Sequence, residues 1–206
     1  MARDKEETKT RILAAVGKLL AESGFQQLGI NAIAREAGVD KVLIYRYFEN
    51  LPSLLQTFGK EGNYWITTEE LIGDETVVDA ESLADCMVLL LTRFLYDLQK
   101  RPITQEIMRW ELLQANELTH ELATVRDQVA IESLEFLKQK YSFPPDQDIP
   151  AISAVLIAGI VYLVMRTKVS DTFLGIDFGS PTGWQRIEKA IASLLAAIVE
   201  NDRSVQ

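Results

Sequence analysis

Cysteine and histidine are nearly missing from this chain, at one each, Cys86 and His120. A single cysteine excludes an intrachain disulfide framework, and the two residues together cannot furnish a conventional zinc site. The opening MARDKEETKT carries charges with no apolar run behind them, which argues against a secretory signal. No period-two run of β-branched residues and no Asn-Gly turn is present, so strand evidence is negligible. Gly-x-Ser-x-Gly, a Gly-rich phosphate loop after a strand, and a second histidine to pair with His120 are all lacking. Catalysis is therefore not expected, nor is a metal or any cofactor. What remains is an all-α protein in a reducing, cytoplasmic setting.

The 206 residues are 48% hydrophobic and 25% charged, an ordinary globular balance for one or two domains of roughly 150 residues. The net charge of −9 would by itself argue against nucleic acid. Its distribution does not. Residues 1–50 hold eight Lys and Arg (Arg3, Lys5, Lys9, Arg11, Lys18, Arg35, Lys41, Arg46) against seven acids, whereas the remainder holds 13 against 23. A near-neutral head (1–50) on an acidic body (51–206) suggests two modules with different partners.

Helical periodicity runs almost throughout. Ile12, Leu13, Val16, Leu19 and Leu20 mark a first helix, for which Gly24 is a plausible stop. The pattern predicts short helices over Ile30 to Ala37 and Lys41 to Phe48, the latter entered through Asp40 as N-cap. A fourth follows from Asn50, with Pro52 tolerated in its first turn. Longer helices are expected over Asp79 to Lys100, Pro102 to Leu113, Asn116 to Tyr141, Ile149 to Ser170 and Pro181 to Arg203. The uncharged stretch Ile149 to Met165 is short for a membrane span and has Pro150 at its start, so burial in a core or between subunits is the expectation.

The segment Ile30 to Phe48 has the physics of a helix-turn-helix. Ala34 is small where two helices cross, Gly38 can take the positive φ of a tight turn, and Ile33, Ala37, Val39 and Ile44 make an apolar seam. Lys41, Leu43, Tyr45, Arg46 and Tyr47 are left on the outer face, residue types that suit phosphate and base-edge contacts in a major groove. Spacing alone also fits an ordinary helical hairpin.

A wider pattern adds to this. Arg11-Ile-Leu-Ala-Ala, Gly24-Phe25, Ile33-Ala-Arg-Glu-Ala-Gly-Val, Ile44-Tyr-Arg-Tyr-Phe-Glu-Asn and Leu54-Leu55 occur in the order and spacing of the N-terminal domain of TetR-family regulators. The resemblance covers about residues 8–58. It implies a homodimeric repressor or activator whose third helix enters the major groove of double-stranded DNA, with a helical C-terminal domain that binds a small effector. On this resemblance Tyr45 and Tyr47 contact phosphates, Lys41 a phosphate or base edge, and Leu43 and Arg46 are tuned to the operator. Val42 sits beside them, and Lys9, Thr10 and Asn31 add backbone contacts. The chain departs from the family pattern at Asp40, Val42, Glu49 and Leu51, each change removing favourable electrostatics or a small residue from the DNA face.

In the acidic body, Trp65 on the fourth helix, Met87 and Phe94 on the fifth, Met108, Trp110 and Glu111 on the sixth, and Tyr162 and Met165 on the eighth are candidate effector contacts. Apolar, aromatic-lined spaces between bundle helices are how small-molecule sites are built, although such residues are also ordinary core. Glu111 would be the polar anchor. Cys86 is expected in the core and His120 on a solvent-facing helix surface. The two last long helices, the final one with a stripe of Ile187, Ile191, Leu194, Leu195, Ile198 and Val199, are expected to form the homodimer interface, as the resemblance also implies. Two alternatives stay open. One is a regulator whose signal is a protein partner; the other is an all-α small-molecule binding protein whose head has lost DNA recognition.

Overall fold

The computed structural model describes residues 2–61, 64–73, 75–114 and 117–199. The helices are α1 (Ala2–Ser23), α2 (Ile30–Ala37), α3 (Lys41–Phe48), α4 (Leu51–Glu61), α5 (Thr68–Ile72), α6 (Glu75–Val78), α7 (Leu83–Gln99), α8 (Pro102–Leu113), α9 (Glu117–Lys140), α10 (Ile149–Arg166) and α11 (Pro181–Val199). One two-stranded hairpin, β1 (Thr172–Phe173) and β2 (Ile176–Asp177), joins the last two helices. The fold is all-α, as the periodicity requires. The chain resolves into two compact units, 1–65 with 101–126 and 66–100 with 127–206.

The first unit is built on α1, which packs on α2, α4 and α8. Ile12, Val16, Leu20, Ile33, Ile44 and Leu54 are buried in it. Local chemistry sets the element ends. Gly38 takes φ 63° and ψ 38°, and its N–H bonds back to the Ala34 and Arg35 carbonyls, closing α2 in the left-handed cap that favours glycine. The Asp40 carboxylate accepts from the Val42 N–H at 2.8 Å and starts α3. Asn50 does the same for α4, accepting from the Ser53 N–H at 2.8 Å.

In the second unit α7 is the central helix, with α10 and α11 packed on it and α5 and α6 at its side. Cys86, Met87, Leu91, Leu95, Ile160, Val164 and Leu195 are buried there. The Tyr96 hydroxyl donates to the Glu188 carboxylate, joining α7 to α11. The Lys140 ammonium donates to the Val77, Val78 and Ala80 carbonyls, so a cation closes the C-terminal end of α6.

Several expectations are corrected. The helix expected from Asp79 begins at Leu83, because the Ser82 side chain accepts from the Asp85 N–H and makes a competent cap there. The Ile149 helix ends at Arg166 rather than Ser170. Asn116 and residues 200–203 lie outside the described residues. The short helices α5 and α6 and the hairpin were not anticipated. α5 is nucleated by a capping box in which Thr67 and Glu70 bond reciprocally. The hairpin turns through Leu174 and Gly175, at φ 49° and 72°. Two positive values are those of a type I′ turn, here without its usual Asn-Gly signature.

Candidate nucleic-acid interface and effector residues

The helix-turn-helix presents one face of α3. Ile44 and Phe48 are buried against the rest of the head, while Leu43 and Tyr47 are half-buried at the edge. Lys41, Val42, Tyr45 and Arg46 face outward, Val42 being 63% and Tyr45 50% exposed. Lys41 and Arg46 make no ion pair among the described residues, so both cations are free for phosphate oxygens.

The scaffold beneath this face is held by charge. The Arg11 guanidinium on α1 donates to the Ala37 carbonyl at 2.6 Å and the Gly38 carbonyl at 3.1 Å, fixing the turn between α2 and α3. A positive group at the last carbonyls of α2 also matches the helix dipole. Lys18 on α1 pairs with Glu36 on α2 at 2.5 Å, and this hydrogen bond raises the lysine pKa. Glu49 ends α3 at φ 66°, a left-handed position for a residue with a side chain. Together these fix where α3 points.

The remaining head residues singled out by sequence fall around α3 with different degrees of freedom. Asn31 is exposed at the start of α2. Lys9 is shared with Glu6 at 3.6 Å, and the Thr10 hydroxyl donates to the Glu6 carbonyl at 3.0 Å. Lys5 was missed by the sequence reading. Its ammonium lies 5.8 Å from the Tyr47 ring centroid, which brings a third cation beside the outer face of α3. The only sequence signal for it was the basic spacing of the first nine residues.

The eight effector candidates divide between the units. Trp65, Met108, Trp110 and Glu111 are in the first, and Met87, Phe94, Tyr162 and Met165 in the second. Trp65 is not on α4, which ends at Glu61, but in the turn that follows, where the Trp65 carbonyl accepts from Arg101 at 3.0 Å. Its indole is buried, and the Nε1–H has no acceptor among the described residues. Beside it the Tyr64 ring stacks on Phe58 at 4.2 Å, and burial pushes the phenol pKa up to about 12. Trp110 is stacked at 3.6 Å on Phe25 and donates to Gln114, and the Glu111 carboxylate is paired with Arg126. Met87 is buried on α7 and Met108 on α8, while Phe94 and Met165 are half-buried. Tyr162 stands 52% exposed on α10.

Cys86 and His120 lie as expected, one in the core and one exposed on α9. Burial raises the thiol pKa, against the opposing pull of a hydrogen bond to Tyr141 and the charge of Lys140. The cation that would activate a thiolate is thus present in space though not in sequence, and desolvation outweighs it.

A helix-turn-helix with one outward, cation-bearing helix is an arrangement suited to a DNA groove. Residues 12–56 match the family model for bacterial regulatory proteins of the tetR family. The whole fold is similar to solved structures of such regulators. The fatty acid degradation regulator FadR from Bacillus halodurans is 20% identical, with a TM-score of 0.61 over 91% of this chain and 94% of that one. FadR from Bacillus subtilis, solved with stearoyl-CoA, is 18% identical, with a TM-score of 0.63 over 90% and 96%. NalD from Pseudomonas aeruginosa, the secondary repressor of the MexAB-OprM multidrug efflux pump, is 20% identical, with a TM-score of 0.62 over 96% and 98%. No curated protein sequence is significantly similar to this chain. The family match is confined to the head, and over its length the chain shares the fold of these solved regulators.

Proposed function

We propose that the chain is a one-component repressor that binds a palindromic operator as a homodimer and is released by a small effector. The observation that carries the DNA half is the outer face of α3, where Lys41, Tyr45 and Arg46 stand exposed on a scaffold clamped by Arg11. Eight residues reach only a few base edges, so operator recognition needs a second copy, its α3 about one helical turn (roughly 34–36 Å) away. Lys41, Tyr45 and Tyr47 serve phosphates, Val42, Leu43 and Arg46 face base edges, and Lys9, Thr10 and Asn31 steady the backbone. The division of labour is a DNA-binding head, 1–50, and a sensing and dimerising body, 51–206, acting in the cytoplasm without catalysis.

The pairing surface is α10 with α11. Only 17% of Ile149–Arg166 is buried within the chain, so the helix is not an internal core helix, and its apolar side is left for a partner. On α11, Ile191 and Leu195 are spent inside the protomer, whereas Leu194 stays exposed.

For the effector, the buried Trp65 indole N–H, which has no acceptor among the described residues, is the strongest pointer, since such a donor costs stability until it is bonded. A ligand with a hydrogen-bond acceptor beside an apolar body would satisfy it. Met87, Phe94, Met108, Trp110, Glu111, Tyr162 and Met165 remain candidate contacts. The test is a gel shift on selected DNA. Tyr45→Ala and Arg46→Ala should each abolish the shift with the dimer intact, and unchanged binding in both would refute the assignment.

A further inference from the structure

We infer that the hairpin between α10 and α11 is a dimer arm whose tip, Leu174, seats on the second copy; this rests on the homodimer reading above. Leu174 is 84% exposed, and it holds a left-handed backbone that a leucine adopts at a cost. Asparagine or glycine would make the same turn without strain and without an apolar side chain in water. A leucine that is unfavourable both in conformation and in solvation has no folding rationale.

The hairpin is also held ready. Phe173 lies edge-on to Tyr162 of α10 at 5.9 Å, and the Arg166 guanidinium sits 4.8 Å from the same ring. At its base the Phe178 N–H donates to the Asp171 carbonyl at 2.7 Å. The apolar face of α10, with Val155 72% exposed, therefore continues through Tyr162 and Phe173 to the tip. Arg166 is the one charged residue in α10, so two copies that meet through this face about a two-fold axis bring uncharged, apolar surface to the same uncharged surface with little like-charge repulsion. The pairing helices α10 and α11 are about 27–29 Å long, and a stable dimer needs on the order of 1,000 Å². The hairpin supplies apolar ground next to them. A lipid surface is disfavoured by exposed Asp171 and Asp177 on the hairpin and by the net charge of −9.

The test is sedimentation equilibrium of the full chain and of Leu174→Asn, Leu174→Gly and Val155→Glu. Leu174→Asn and Leu174→Gly keep the turn but remove two leucines per dimer, so the dimer dissociation constant should rise roughly tenfold or more with the folded helix content unchanged. Val155→Glu should be monomeric. If both Leu174 variants dimerise within twofold of the parent while Val155→Glu is monomeric, the arm is refuted and the α10 interface stands. If Val155→Glu dimerises like the parent, the interface and the arm both fall. Binding to phosphatidylcholine and phosphatidylglycerol vesicles that is lost in Leu174→Asn, with dimerisation unchanged, would make the hairpin a membrane contact and overturn the inference.

Discussion

Arg11 is the residue whose loss should separate the integrity of the head from its recognition surface. Replacing it with alanine removes two hydrogen bonds, to the Ala37 carbonyl at 2.6 Å and the Gly38 carbonyl at 3.1 Å. A hydrogen bond to a charged group contributes about 1.5–3 kcal/mol, and here one of the two is solvent-exposed and therefore weaker. The charge also faces the C-terminal end of α2, which adds a few tenths of a kcal/mol. The sum is about 2 kcal/mol in Arg11→Ala. The Ala37 carbonyl, part-buried, is not fully resolvated once the guanidinium is gone. For a unit of this size each kcal/mol is worth about 4–8 °C, so the first thermal transition should fall by roughly 8–15 °C. Arg11→Lys keeps the charge but not the fork of donors and should recover less than half of the loss. Circular dichroism melts of the full chain give the measurement. If Arg11→Ala melts within 2 °C of the parent, roughly 0.5 kcal/mol or less, the guanidinium does not hold the turn and the account of the scaffold is wrong.

Other expectations follow from the same geometry. Tyr45→Ala and Arg46→Ala should cost less than about 0.5 kcal/mol in stability, since neither side chain is buried, yet each should remove operator binding in a gel shift. Lys41→Ala should weaken all DNA sequences alike and reduce the slope of log Kobs against log salt by about one per half-site in fluorescence anisotropy. Tyr64 is an acid whose folded pKa is raised, from 10.0 to about 12, so the folded state keeps a proton that the unfolded chain has released in that window. Denaturant titrations should show its contribution intact below pH 10 and declining as pH rises towards 12, and Tyr64→Phe should flatten that decline. Cys86, buried and with its thiol pKa raised, should be alkylated by iodoacetamide roughly 100-fold more slowly in the native chain than in urea.

The helix-turn-helix head was legible because its turns are written in residues with few alternatives. Gly38 in a left-handed cap and Asp40 and Asn50 as N-caps each fix a boundary within a residue, as Pro102 does for α8 in the body. The clamp on that scaffold was not legible. Arg11 reads as one more exposed arginine on an amphipathic helix, and its two carbonyl partners lie 26 and 27 residues away. The break before α7 was hidden because Asp79 to Glu81 continue a plausible helical pattern, and only the Ser82 cap decides against them. The hairpin was hidden for the opposite reason: its turn uses a residue that local propensity rejects, which is the feature that makes Leu174 informative. In the body, aromatic and methionine positions look alike in sequence whether they fill a core or line a site. The indole N–H of Trp65, without an acceptor among the described residues, sets one of them apart.

The central claim is that the outer face of α3, presented twice by a homodimer, reads DNA. Selection of fragments bound by the full chain from a random double-stranded pool at moderate salt tests it most directly. The account predicts enrichment of an inverted repeat whose half-sites are centred about one helical turn apart, and loss of that enrichment in Arg46→Ala. A dimeric chain that enriches no sequence, or enriches the same one when Arg46 is replaced, would contradict it.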